Sequence, residues 1–395
     1  MFSILVNIFI DDKDNVKSPQ VRQKYGMLCG IVGIVLNLLL FAGKFLAGLI
    51  SRSISITADA FNNLSDAGSS VVTLAGFKMA GAKPDVDHPY GHGRIEYITG
   101  FIVSGAIIVM AFELIKNSIE KIVHPAPVEF RLLSVAILVA SVLVKIYMAY
   151  YNYNVGKKLD SIAMRAAATD SLSDTCATFV VLLGIVIGKF TGFRVDGWCG
   201  VLVGVFIFYA GIVAAKDTLN PLLGQPPKAE FVTQIEEIVL AHQEICGVHD
   251  LLVHDYGPGR CMISLHAEVP AEGNILELHE VVDDAEAELQ EKLNCSAVIH
   301  MDPVVTEDTY ILHLKGKIEV LIKTIDPIIT MHDFRVVPKH TQTKLIFDVA
   351  VPYGYRLDDE ELADMIEKRI RKKLEEDYLV VIRVDKTFLR EAALK

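Results

Sequence analysis

The chain has 395 residues, of which 52% are hydrophobic and 22% charged, with a formal net charge of −11 and a mean hydropathy of +0.38. That composition argues against a wholly water-soluble protein, and the negative balance argues against a nucleic-acid partner held through its phosphates. The charge is unevenly placed: residues 27–222 carry 15 Lys/Arg and 13 Asp/Glu, whereas residues 223–395 carry 19 and 33. A membrane half therefore precedes an acidic, water-exposed half.

In chain order, the opening apolar run 2–10 is too short to span a bilayer, lacks a basic flank and is followed by Asp11, Asp12 and Asp14. Residues 1–26 read as an interfacial or unstructured cytoplasmic arm, not a signal peptide. Six apolar segments follow, at about 27–50, 54–80, 95–122, 132–153, 162–189 and 197–219. Each supplies the roughly 20 helical residues needed to cross a hydrocarbon core. Residues 27–222 are thus expected to form a six-helix, all-α transmembrane bundle. Ten Lys/Arg fall in segments on the side of the N-terminus and six on the other. This bias sets both termini in the cytoplasm of a multi-pass protein of the cytoplasmic (inner or plasma) membrane.

Beyond the Gln-Pro-Pro stretch at 225–227 the pattern becomes helix, strand, strand, helix, strand, and then it repeats. Met331-His332-Asp333-Phe334 echoes Val248-His249-Asp250-Leu251, and Ile382-Arg383-Val384-Asp385 echoes Ile299-His300-Met301-Asp302, each 83 residues later; Asp348 to Pro352 echoes His266 to Pro270 at 82. The expected fold is multi-domain: the bundle, then two tandem α+β domains of αββαβ order, at 223–305 and 306–395. Six cysteines without CxxC or paired spacing indicate reduced thiols and no disulfide frame.

The second and fifth apolar segments contain acids where acids are costly. Asn62 and Asp66 stand four apart, as do Asp170 and Asp174, so each pair shares a helix face and offers two oxygens in one direction. An acid near mid-membrane costs about 2.5–3.5 kcal/mol on insertion scales, so three of them need a compensating partner. A divalent cation is one such partner; ion pairs with Lys44 and Lys145 are the other. Asp59 lies one turn before the first pair, as an auxiliary or a segment-end acid. No phosphate loop, nucleophile–base pair or HExxH motif suggests an enzyme.

The two pairs, the six segments, the soluble tail and the loop Asp85-Val86-Asp87-His88-Pro89-Tyr90-Gly91-His92-Gly93-Arg94 together resemble the cation diffusion facilitator family of metal/proton antiporters, its manganese-type members in particular. The resemblance covers about residues 27–303. It implies efflux of a divalent metal in exchange for protons, a homodimer, a metallochaperone-like (ferredoxin-like) tail and no prosthetic group beyond bound ions such as Mn²⁺ or Zn²⁺. It assigns transport to Asn62, Asp66, Asp170 and Asp174. A tail metal cluster at the dimer interface falls to His249, His266, His279, His300 and Asp302, while Asp85, His88 and His92 form either a loop metal site or a structural or gating loop. Many zinc-transporting relatives place a histidine in the first position of a pair, whereas here all four donors are oxygen. Hard donors suit Mn²⁺, so manganese is expected ahead of Fe²⁺, Zn²⁺, Co²⁺ or Cd²⁺. A cation channel and a non-transporting metal sensor are the alternatives from other classes. The second tail copy keeps His332 and Asp385 but has Asp348, Ala363 and Arg383 for His266, His279 and His300, so no metal is expected there. Relatives often have an acid after the Leu-Leu pair that closes segment six, partnering a basic loop residue. Here Gly224 follows Leu222-Leu223, and Arg94 is left without that acid.

Overall fold

The computed structural model describes residues 2–16, 18–51, 54–124, 132–191, 196–338, 343–374 and 378–387. It divides into two compact units: one comprises Met1–Gln225 with Asp255–Arg260, the other Pro226–His254 with Cys261–Lys395.

The first unit is helical: α1 (Phe2–Phe9), α2 (Pro19–Ser51), α3 (Ile54–Ala80), α4 (Ile95–Val123), α5 (Leu132–Leu159), α6 (Ile162–Thr191) and α7 (Asp196–Leu223). Among the described residues, α2, α4, α5 and α7 are long and apolar enough to cross a membrane. α3 and α6 match them in length, at 27 and 30 residues, but carry the carboxylates and a run of small polar side chains. α3 packs on α2 and α4, while α6 packs on α4, α5 and α7. Close approach of α2 to α3 depends on Gly30: a Cβ there would stand 3.0 Å from the Leu74 Cα, a backbone atom with no rotamer to yield.

Two features go beyond the sequence reading. Residues 2–9 form a helix packed on the bundle, not an unstructured arm. Phe2, Val6 and Ile10, spaced by four, are buried together against Tyr25, Leu28 and Tyr151 because that spacing puts them on one face. The Phe2 amide donates to the Tyr147 hydroxyl at 2.8 Å, and its ring stacks on Tyr151 with centroids 4.7 Å apart. Arg94 also has a partner. Its Nε donates to the Asp255 carbonyl at 2.9 Å and its guanidinium covers the Tyr256 ring. The Tyr97 hydroxyl donates to the Asp255 carboxylate at 2.7 Å. Elsewhere in this unit Arg22 pairs with Glu96 at 3.2 Å; Arg22 also donates to the Leu159 carbonyl and Ser161 to Glu96. That buried network ties α2 and α4 to the turn between α5 and α6.

The second unit runs α8 (Ala229–Val239), β1 (Gly247–Asp255), β2 (Cys261–Pro270), α9 (Ile275–Leu293), β3 (Cys295–Val304), α10 (Thr309–Lys323), β4 (Thr330–Val337), β5 (Lys344–Pro352), α11 (Asp359–Lys373) and β6 (Leu379–Thr387). It forms two three-stranded sheets, ordered β1-β2-β3 and β4-β5-β6. β2 and β3 are parallel, as are β5 and β6, so each pair needs the crossover helix that α9 or α11 provides. The duplication extends to strand register: Glu268 faces Asp302 in one sheet and Ala350 faces Asp385 in the other. It extends to backbone conformation as well. Asp250 and Asp333, 83 positions apart, both adopt left-handed φ, 52° and 51°, a conformation aspartate tolerates better than most residues. Each copy closes its own core, around Ile235, Leu265 and Leu289 in the first and Ile318, Phe347 and Ile366 in the second.

Candidate metal centres

Asp66 on α3 and the i,i+4 pair Asp170 and Asp174 on α6 are buried, at 4%, 8% and 7% exposure. A lysine joins two of them. Lys145 of α5 donates from Nζ to Asp66 Oδ2 at 2.7 Å and to Asp174 Oδ2 at 2.6 Å. Its ammonium thus stands between the two helices that bear the acids. Lys44 on α2 is buried too. The ion-pair possibility noted from sequence is therefore realised around Lys145, in the place where a cation sharing these carboxylates would bind.

Asn62 is not brought into this group. Its side chain is exposed, whereas Asn63 is buried with Asp66. At 100° per residue, positions 62 and 63 flank the direction of 66 from opposite sides, and α3 is turned so that 63 faces inward. Neighbouring hydroxyls do not point into the group: Ser171, Ser173 and Thr175 each donate to the carbonyl four residues earlier. A polar cavity lined by Asn37, Ser69, Ser70, Thr73 and Asn152 reaches Asp170. The Asp59 side chain lies outside the described residues.

The loop between α3 and α4 gathers its three candidates. His88 Nδ1 lies 3.3 Å from Asp85 Oδ1, and His92 Nε2 lies 3.5 Å from Asp85 Oδ2. The His88 backbone N–H donates to Asp85 and holds its carboxyl below the usual range. Two imidazoles thus converge on one carboxylate, and the three side chains offer ligand atoms within 4.8 Å of one another.

In the first tail copy Asp302 is the hub. Its carboxylate meets His249 Nε2 at 3.2 Å, His266 Nδ1 at 2.8 Å and His300 Nε2 at 3.3 Å. Parallel pairing of β2 with β3 sets His266 opposite His300. Burial by itself would lower the His249 pKa, but Asp250, 3.7 Å from the ring, with the charges of Asp302 and Glu268, raises it overall. His279 stands exposed on α9 beside Asp283, 3.3 Å away, apart from the other three histidines within a single chain. In the second copy His332 lies 3.4 Å from Asp385, and with Asp348 these residues offer ligand atoms all within 4.8 Å of one another. Sequence reasoning dismissed this set because histidines had been lost, although Asp348 substitutes one ligand type for another.

Comparisons with known proteins agree with this layout. A family model described as "Cation efflux transmembrane domain" matches residues 30–223, and one described as "Cation efflux protein, cytoplasmic domain" matches residues 227–304. An uncharacterized transporter of Methanocaldococcus jannaschii is 33% identical over 275 residues, which cover 69% of this chain and 97% of that protein. The manganese efflux system protein MneS of Bacillus subtilis is 26% identical over 71% of this chain and 97% of its own length. The cation-efflux pump FieF of Escherichia coli is 25% identical over 72% and 95%.

Proposed function

The chain belongs to the cation diffusion facilitator family of cation efflux proteins, and from that premise we propose that it exports a divalent metal ion, chiefly Mn²⁺, in exchange for protons. The observation that carries this reading is the buried group Asp66, Asp170 and Asp174 on two helices of the membrane half. In this reading α3 and α6 also cross the bilayer, giving six spans with both termini in the cytoplasm of the cytoplasmic membrane. The protein works as a homodimer with ferredoxin-like αββαβ tails.

The ion enters by the polar cavity at Asp170 and is shared by Asp66, Asp170 and Asp174, with Asn62 added when α3 rotates. The acid oxygens that would hold it already hold the Lys145 ammonium, so metal binding displaces that ammonium. Three carboxylates against Lys44 and Lys145 leave the buried set at −1. A divalent ion in place of the Lys145 ammonium brings it to zero, as does a single proton on the ammonium-bound set, so metal and proton compete for one site. Alternating repacking of α3 and α6 then exposes the site outward, where protons expel the metal. Oxygen donors without imidazole favour manganese over zinc, and the naming of one relative for manganese efflux supports that choice.

The test is uptake of Mn²⁺ and Zn²⁺, in competition, by proteoliposomes with an imposed pH gradient. Wild type is expected to move Mn²⁺ faster, with flux following the gradient, and Asp174→Ala to abolish it. Mn²⁺ flux indifferent to the gradient would overturn the exchange, and preferred Zn²⁺ flux would overturn the selectivity.

A further inference from the structure

We propose that the second tail copy holds a divalent metal site of its own, built from His332, Asp348 and Asp385 and completed by Asp250 of the first copy, so that one ion joins the two copies within a single chain. This goes beyond transport and beyond the histidine cluster around Asp302.

The geometry carries it. His332 Nε2 stands 3.4 Å from Asp385 Oδ2 and 3.8 Å from Asp250 Oδ1. Those separations are long for hydrogen bonds. Two donors on a tetrahedral ion, each about 2.1 Å from it, stand roughly 3.4 Å apart. Both His332 Nε2 and Asp385 Oδ2 are buried without a hydrogen-bond partner, which is costly unless something else occupies them. Asp348 pairs directly with His332 across β4 and β5, so the sheet presents both side chains at one level. Arg383, standing where the first copy has His300, binds the other Asp385 oxygen through Nε at 3.2 Å. It therefore orients that carboxylate and leaves Oδ2 free, as outer-shell partners of metal ligands do.

The bridging role follows from how the copies meet. The His249 and His332 rings, equivalent in the repeat, lie 4.5 Å apart. The Asp333 amide donates to Glu268 at 3.2 Å. Contact of a residue with its own equivalent is the mark of a self-complementary, two-fold-like interface, here formed inside one chain. The left-handed backbone at Asp250 belongs to the residue whose carboxylate reaches the second copy. One imidazole and three carboxylates suit Mn²⁺, Fe²⁺ or Zn²⁺.

The experiment counts Mn²⁺ and, separately, Zn²⁺ bound per chain of the purified full-length protein after dialysis, by elemental analysis, with affinity measured by titration calorimetry. Asp348→Asn and Asp385→Asn are expected to bind one ion per chain fewer than wild type, while His266→Ala keeps that ion. Asp250→Asn is expected to keep it at saturation with at least tenfold weaker affinity. Asp348→His, which restores the residue of the first copy, retains the ion and turns preference toward Zn²⁺; it also serves if the asparagine variants fail to fold. Unchanged stoichiometry in folded Asp348→Asn and Asp385→Asn, or loss of the ion in Asp348→His, overturns the site. Unchanged affinity in Asp250→Asn overturns the bridge.

Discussion

Lys145 decides how the carboxylate group behaves when no metal is bound. A buried ammonium within 2.7 Å of Asp66 and 2.6 Å of Asp174 neutralises charges that would otherwise repel in a low dielectric. Removing one partner of such a pair leaves the others uncompensated, at a cost of about 3–5 kcal/mol. Lys145→Met should therefore unfold at lower temperature in EDTA, and saturating Mn²⁺ should restore most of the loss because the ion replaces the missing charge. Thermal melts with and without Mn²⁺ read this directly; a variant equally unstable in both conditions would show that the lysine serves packing alone. Asp170→His should shift transport preference from Mn²⁺ toward Zn²⁺, since imidazole favours the softer ion, and competition flux measures it. The acids themselves were legible in the sequence, because a carboxylate in an apolar run demands a partner. The sequence named both a metal and the lysines Lys44 and Lys145 as partners but could not choose between them, because only the packing of the helices brings Lys145 to Asp66 and Asp174 together.

At the level of elements, helix length and apolar run located the four helices long and apolar enough to cross a membrane, whereas helix rotation escaped the sequence. Asn62 and Asn63 are adjacent and chemically identical, and only the packing of α3 selects 63 as the buried one. His279 likewise fell on a correctly expected helix but on its outer face. Strand positions fared better, since alternation fixes the face: His266, His300 and Asp302 sit on parallel neighbours and converge. His266→Ala or Asp302→Ala should accordingly remove the ion of the first copy, while His279→Ala leaves its affinity in a single chain unchanged, as titration of the three variants will show. Packing of α2 on α3 makes its own prediction. The Leu74 backbone would lie 3.0 Å from a Cβ at position 30, and overpacking of this kind costs about 1–3 kcal/mol. Gly30→Val should lower the melting temperature and slow Mn²⁺ flux together, because α3 carries Asp66.

Over the whole chain, the two family models account for residues up to 304, and the transporter of M. jannaschii is covered to 97% by a match of 275 residues. The segment beyond adds a second tail copy outside both family matches. Its core, from Leu314 to Val380, draws on no residue of the first copy, and the first tail core closes without it. A chain ending after Val304 should therefore fold and still exchange Mn²⁺ for protons in proteoliposomes. It should bind about one ion fewer at equilibrium, because His332, Asp348 and Asp385 leave with the deleted copy. Removal of the second copy frees Asp250 and exposes the face now covered by His332. If that face is what the second copy serves, the loss appears as a weaker response of transport to tail-bound metal, with the unstimulated rate preserved. Measuring flux of both chains across a range of cytoplasmic-side Mn²⁺ separates these outcomes: equal metal response in both would assign the added copy no part in regulation, and a collapse of flux at every concentration would make it part of the transport fold itself.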